Sequence, residues 1–276
     1  EMEKGSTFFF SIPYIPVYQE KSLQISNDDE LKNMSQKFTI LIAEDDAIIA
    51  DGLARSLRQG GYAVDWAANG LEADKAKAVS DILIEGDLLG HTTHGLGLLA
   101  PYLAELASGK MSKNGLPEVL SDFPAAMVWD GKRLPGPWLV LRAMDVAMER
   151  AKQEGTCTVV IKRSHHIACL AAYHQRATQQ GMLIALHCSD PNSSSVAPFG
   201  GLDPVFTPNP VSFGMPSSKQ PIMVDVSTSA TTNGMTNRLF NEKKLLPAAW
   251  VMDGHGKASA DPAVLFAEPK GTILPL

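Results

Sequence analysis

The succession of apolar and polar positions divides the chain into three textures. A β-rich run, Phe8-Phe9-Phe10-Ser11-Ile12-Pro13-Tyr14-Ile15-Pro16-Val17, lies near the start. Residues 19–36 then turn polar, dominated by Glu, Lys, Ser, Asn, Asp and Gln, which is the composition of a solvated linker. Next comes an apolar strand, Phe38-Thr39-Ile40-Leu41-Ile42-Ala43, ending in the acidic cluster Glu44-Asp45-Asp46. Ile48, Ile49, Leu53 and Leu57 recur at helical spacing up to Gly60-Gly61, and Tyr62-Ala63-Val64-Asp65-Trp66 predicts a second strand. Together these predict the βαβ opening of an α/β domain.

The pattern changes after Asp74. Lys75 to Leu89 is helical by period, with Ala78, Ile82 and Leu83 facing inward, and Gly90-His91-Thr92-Thr93-His94-Gly95 interrupts it. Helical spacing resumes from Leu96 to Leu106, followed by a loop rich in Gly and Pro. A helix is predicted over Val140–Glu154, a buried strand over Thr156–Ile161, a helix from His166 to Gln180 and a strand over Met182–Leu186. From Pro191 to Thr228 the chain reads as loops and strands with many prolines, and no internal repeat is visible.

Composition narrows the classes of function. At 276 residues, 45% hydrophobic and 20% charged, the chain has material for a sizeable core. A net charge of −6 leaves no electrostatic footprint for nucleic acid, and no polybasic run points to a membrane surface. The apolar run at 8–17 is too short to span a bilayer and lacks the basic flank of a signal peptide. Cys157, Cys169 and Cys188 are odd in number and show no CxxC spacing, so they read as reduced thiols in a cytoplasmic protein. Opening on Glu1 suggests a piece of a longer reading frame.

Three resemblances follow from strings of residues. Lys4-Gly5-Ser6-Thr7-Phe8-Phe9-Phe10-Ser11-Ile12-Pro13 resembles the last strand of a histidine kinase ATP-binding domain, without that family's nucleotide-holding motifs. Residues 38–74 resemble the start of a response-regulator receiver domain, whose acidic loop binds Mg²⁺ in that family; here it reads more simply as a solvated acidic loop. The long match runs from 75 to 276. It is carried by Glu85-Gly86-Asp87-Leu88-Leu89-Gly90-His91-Thr92-Thr93-His94-Gly95, Ser164-His165-His166-Ile167, Ala197-Pro198-Phe199-Gly200-Gly201, Pro208-Asn209-Pro210 and Asp225-Val226-Ser227-Thr228-Ser229. This part resembles the malate/L-lactate dehydrogenase family, the sulfolactate dehydrogenase-like enzymes unrelated to Rossmann lactate dehydrogenases. The expected organisation is therefore a kinase-end strand and polar linker (1–37), a partial receiver-like segment (38–74) and a C-terminally truncated dehydrogenase-like domain (75–276). The last is α/β with a mixed sheet and flanking helices. Strings shared at the junctions suggest a composite chain, either a recombined gene or an assembly artefact.

The resemblance implies an NAD- or NADP-dependent oxidoreductase acting on a small 2-hydroxy or 2-oxo acid. Such a reaction needs a held cofactor, a clamp on the substrate carboxylate and an acid at the developing alkoxide. His94 falls at the family's proton-donor position, and an imidazole titrating near neutrality suits that role. His166 falls at its second site histidine, where a helix N-terminus would favour a neutral ring. Asp225 is expected to orient a histidine or hold the cofactor. Ser189, Asp190, Asn192, Asn209, Ser227 and Thr228 lie where the family places the dinucleotide. Where many members carry a carboxylate-clamping Arg, this chain has Leu98; Arg163, Lys162 or a bulkier or less acidic substrate are the open alternatives. The resemblance also implies a homodimer.

Other constellations carry less. Gly95-Leu96-Gly97-Leu98-Leu99-Ala100 matches GxGxxA but follows a turn instead of a strand, so it is not a dinucleotide fingerprint. His91 and His94, with His165-His166, lack a further ligand cluster of convincing spacing, and no metal site is expected. The competing reading is a non-catalytic chimeric fragment with a two-component signalling remnant. A missing C-terminal stretch of the family pattern predicts low stability.

Overall fold

The structure, a computed structural model, describes residues 39–42, 63–66, 71–190 and 193–276. The kinase-like string, the polar linker, Glu44-Asp45-Asp46, the helix expected between the first two strands, and Asn192 lie outside the described residues. The chain divides into two units: residues 1–90 with 95–168, and residues 91–94 with 169–276.

In the first unit, β1 (Thr39–Ile42) and β2 (Ala63–Trp66) pair in parallel, at the two positions read as strands. Helix α1 (Ala73–Leu88) buries Ala78, Ile82 and Leu83, the three positions its period points inward. Lys75 is buried as well. Its ammonium pairs with Glu72 and lies 4.3 Å from the centroid of the Trp138 ring, while the Trp138 indole N–H donates to Asp74 at 2.7 Å. A buried cation is tolerated because an anion and an aromatic face replace its water.

A 3-10 turn (Leu96–Leu98) and α2 (Leu99–Ala107) follow. The Gly- and Pro-rich stretch then holds a hairpin that periodicity does not reveal, β3 (Glu118–Phe123) with β4 (Ala126–Asp130). Val119, Leu120 and Phe123 of β3 are all exposed, so the strand has no inside–outside alternation to read. Helix α3 (Gly136–Glu154) begins at Gly136, earlier than the predicted Val140. Pro137 is compatible with a first turn, and Gly155, at φ 79°, closes the other end in the left-handed region.

Strand β5 (Thr158–Lys162) pairs in parallel with β4, giving a mixed sheet in the order β3-β4-β5. The expectation of a buried strand fails here. Thr158, Val160 and Lys162 are exposed, and only Val159 and Ile161 turn toward the Met127, Trp129 and Ala143 cluster. Just beyond β5, Arg163 grips the Asp130 carboxylate with two donors, one of them Nε at 2.9 Å.

In the second unit a 3-10 turn (Leu170–Tyr173) leads into α4 (His174–Thr178). The helix predicted from His166 to Gln180 is thus cut to its middle. Ala168, at φ 58°, takes a left-handed conformation that no helix can continue through. Strands β6 (Ile184–His187), β7 (Val211–Met215) and β8 (Ile222–Val226) form an antiparallel sheet. One face packs on α4, where buried His174 meets the Ser212 hydroxyl; a Cβ on Gly214 would lie 2.8 Å from the His174 ring. The other face leaves Phe213, Met215, Ile222, Val224 and Val226 exposed. Helix α5 (Asn233–Asn241), unforeseen, starts where the Thr232 hydroxyl accepts the Met235 N–H at 3.2 Å. Short strands β9 (Val251–Met252), β10 (Ala258–Ser259) and β11 (Thr272–Ile273) form the order β10-β9-β11. They close a core of Val196, Leu246, Val251, Leu265 and Ile273. No described helix is long and apolar enough to cross a membrane.

Two stability predictions follow from the first unit. A Cβ at Gly136 would sit 2.3 Å from the His166 carbonyl oxygen and 2.4 Å from that of His165, both backbone atoms that cannot swing aside. Gly136→Ala is expected to cost about 1–3 kcal/mol in urea unfolding; an unchanged midpoint would disprove this close approach. The hydrogen bond from Arg163, with lesser help from the Lys132 N–H, lowers the Asp130 pKa from 3.8 to about 2, although burial opposes the shift. A depressed carboxylate stabilises the fold fully above its unfolded pKa, and that contribution is lost as pH falls through the folded one. The melting temperature of the wild-type protein should therefore fall more steeply between pH 4 and 2 than that of Asp130→Asn. Parallel acid profiles would remove Asp130 from the explanation.

Candidate active site

The segment between α1 and α2 carries the first histidine. Helix α1 closes at Gly90, whose N–H donates to the Asp87 carbonyl at 2.9 Å with φ at 83°. The Asp87 carboxylate accepts the Leu96 N–H at 3.0 Å, and a Cβ on Gly95 would lie 2.0 Å from its Oδ1. Only glycine at 95 lets the backbone come this close to the carboxylate.

Residues 91–94 form a tight turn in which the His94 N–H donates to the His91 carbonyl at 2.7 Å. The Thr93 hydroxyl lies 2.9 Å from His94 Nδ1. Helix α5 backs the turn: a Cβ on Gly234 would lie 3.2 Å from Thr93 Cβ, and Arg238 donates from Nη1 to the Thr92 hydroxyl at 3.4 Å.

Asp225 stands on β8 opposite Ser212. Its Oδ2 accepts the Ala171 N–H at 2.8 Å and faces the Cys169 thiol at 3.7 Å, so the start of the 3-10 turn fixes the carboxylate. His94 is half-buried. Burial lowers its pKa below the ordinary imidazole value, the charge of Asp225 acts in the opposite direction, and His91 adds to the lowering. Burial raises the Cys169 thiol to about 11, so it is protonated at neutral pH. His94 and Asp225 belong to the same unit, and the charge of Asp225 favours the protonated ring.

His166 belongs to the first unit and is exposed. The expected helix N-terminus beneath it is absent; its Nδ1 instead faces the Tyr102 hydroxyl at 2.8 Å and accepts the Ala168 N–H at 3.2 Å. The Ala168 donor assigns the lone pair to Nδ1 and the ring proton to Nε2. Tyr102 also lies edge-on to His165 and His166, and burial raises its phenol pKa. The contacts of the His166 ring thus come from Tyr102 and the Ala168 N–H, in place of the helix N-terminus that was expected there.

The residues expected around a dinucleotide are held in different ways. Ser189 and Asp190 are exposed at the end of β6. The Ser227 hydroxyl donates to the Ser229 carbonyl, and that of Thr228 to the carbonyls of Pro208 and Asn209 at 3.0 and 3.2 Å, so Thr228 braces the Pro208–Pro210 turn. Asn209 sits in that turn at φ 41°, and its buried Oδ1 has no hydrogen-bond partner among the described residues. An orphaned buried acceptor is a costly feature that a ligand N–H would relieve.

Both cations offered in place of the missing arginine are occupied. Arg163 holds Asp130, and Lys162 lies 3.9 Å from the same carboxylate. Leu98 lies in the 3-10 turn of the first unit. Tyr102, Ala171 and the α5 residues Gly234 and Arg238 went unread in the sequence, and Cys169 was read only as a reduced thiol. Tyr102 shared the helical spacing of Leu96–Leu106 but gave no sign of a polar task. Tyr102→Phe should lose about 1–2 kcal/mol of stability with the buried hydrogen bond. The His166 ring nitrogen shifts in ¹⁵N NMR should change with it; unmoved shifts would show that the hydroxyl does not fix the ring.

Known proteins resemble this chain in sequence and in fold. The malate/L-lactate dehydrogenase family profile matches residues 65–276, beginning inside the segment read as receiver-like. L-lactate dehydrogenase of Cupriavidus necator is 31% identical over 212 residues, covering 76% of this chain and 61% of that protein. The structure of malate dehydrogenase from Entamoeba histolytica superposes with a TM-score of 0.71 at 28% identity, covering 75% of this chain and 58% of that one. Sulfolactate dehydrogenase from Methanocaldococcus jannaschii gives 0.66 at 27% identity, over 74% of this chain and 58% of that one. The chain spans about three fifths of the length of the curated relatives it matches. From residue 65 onward, in sequence and in its mixed α/β fold, the chain belongs to the malate/L-lactate dehydrogenase family.

Proposed function

We propose that this chain is a 2-hydroxy acid dehydrogenase that uses NAD or NADP, with His94 exchanging a proton with the oxygen of a small 2-oxo or 2-hydroxy acid. The observation that carries the reading is the pair of His94 and Asp225. A half-buried imidazole lies within the field of a carboxylate that the Ala171 N–H keeps in place. As the substrate hydroxyl is oxidised, the ring takes up its proton, and Asp225 stabilises the imidazolium that forms. In the reverse direction the imidazolium returns the proton to the developing alkoxide. His166 is proposed as a second catalytic histidine on the family resemblance alone.

The nicotinamide, when bound, supplies or accepts the hydride. The donor set fits such a group: the orphaned Asn209 Oδ1 suits a carboxamide N–H, and Thr228 holds the turn that presents it. Ser189, Asp190, Asn192 and Ser227 are proposed to line the rest of the dinucleotide. Arg238 is proposed as the cation for the substrate carboxylate in place of the arginine absent at Leu98, because it already reaches Thr92 in the turn that bears His94. The exposed apolar face of β7 and β8 supports a homodimer as the assembly.

His94→Asn should lower kcat for NAD(P)H-linked reduction of 2-oxo acids by at least about 100-fold while NADH, followed by its fluorescence, still binds saturably. Arg238→Met should raise KM for the oxo acid by roughly ten-fold and change kcat less. Absence of saturable NADH binding to the wild-type chain would favour the competing reading, a non-catalytic fragment. Full activity in His94→Asn would remove the histidine from the mechanism.

A further inference from the structure

Three side chains from separate stretches of the second unit meet beside the proposed catalytic pair. His91 comes from the turn before His94, Cys169 from the residue before the 3-10 turn, and Asp225 from β8. One ligand atom from each, an imidazole nitrogen, Sγ and a carboxylate oxygen, lies within 4.8 Å of the other two. Cys169 is buried, and His91 and Asp225 are partly so. Sequence spacing had set His91 beside His94 and the His165-His166 pair; the fold sets it beside a thiol and a carboxylate.

We propose that His91, Cys169 and Asp225 form a binding site for a thiophilic divalent cation of the zinc class, with a fourth position left for water. The donor set selects the ion. One sulfur, one nitrogen and one oxygen suit zinc and its analogues cobalt and cadmium, whereas magnesium and calcium require oxygen cages. The geometry is close to what such an ion needs. Zn–S near 2.3 Å and Zn–N near 2.0 Å in a tetrahedron put neighbouring donors about 3.5 Å apart. Cys169 Sγ and Asp225 Oδ2 are already 3.7 Å apart, so the third donor needs to close by at most about 1.5 Å. The site also has an outer support, because the Ala171 N–H holds the Asp225 oxygen at 2.8 Å.

Binding does not depend on the dehydrogenase reading; its consequence for activity does. A dication held on Asp225 engages the carboxylate that the proposed reaction uses, so the bound ion inhibits that reaction and does not assist it. The cluster is then a point of control by metal, built on the carboxylate that the reaction uses.

Cobalt(II) titrated into the reduced, intact chain tests the assignment, because a thiolate ligand gives a near-ultraviolet charge-transfer band whatever the enzyme's activity. The expected result is a band saturating at one equivalent and discharged by zinc. It should be lost in Cys169→Ala and in Cys169→Ser, and retained in Cys157→Ala and Cys188→Ala. His91→Gln, on a partly exposed turn, should keep the band and weaken binding at least ten-fold. The proposal is overturned if the wild type shows no band at one equivalent, if the band survives without Cys169, if it depends on Cys188, or if His91→Gln binds as tightly as the wild type. Should both Cys169 variants fail to fold, the wild-type and His91→Gln titrations decide the matter.

Discussion

Asp225 is the constraint on which the second unit turns. A carboxylate on the inner side of a strand must be paired or hydrogen-bonded, and here the Ala171 N–H and the Cys169 thiol supply that need. The same contacts fix where the chain can begin its 3-10 turn, and so where α4 starts and how His174 comes to lie against Ser212 and Gly214. The field of this carboxylate reaches His94 and His174 and opposes the burial that lowers both imidazoles. A structural duty and the proposed chemical one converge on this side chain, so replacing it would disturb the local fold as well.

Much of this was legible in the sequence where periodicity and burial agree. Helix α1 shows the agreement clearly: Ala78, Ile82 and Leu83 follow the 3.6-residue period and are buried. His94 and Asp225 were singled out through the strings around them, and both lie in the same unit. The failures have specific causes. The β3–β4 hairpin was hidden because its apolar residues are exposed and do not alternate. The helix predicted from His166 ran over Ala168, whose left-handed backbone nothing in an alanine announces. Helix α5 was passed over although Thr232 was there to cap it, since its composition is polar.

The site partners were harder to read than the elements. Tyr102 and His166 are 64 residues apart, and Arg238 and Thr92 are 146 apart; no local pattern encodes such pairs. Arg163 and Lys162 looked available because the sequence does not show Asp130 folding back to β5 in parallel register. Long-range pairing thus decides which charges are tied into the fold. That division placed Arg163 with the fold and left Arg238 beside the histidine turn.

The sheet face bearing Phe213, Met215, Ile222, Val224 and Val226 has a consequence for the protein in solution. A contiguous apolar face on antiparallel strands makes colloidal behaviour depend on what the solvent does to exposed hydrocarbon. Sulfate and sugars, which are excluded from protein surfaces, strengthen burial and drive such faces together, whereas low concentrations of urea solvate them. Salting-out conditions would thus gather this protein into assemblies, and its handling is governed by five side chains on one sheet face.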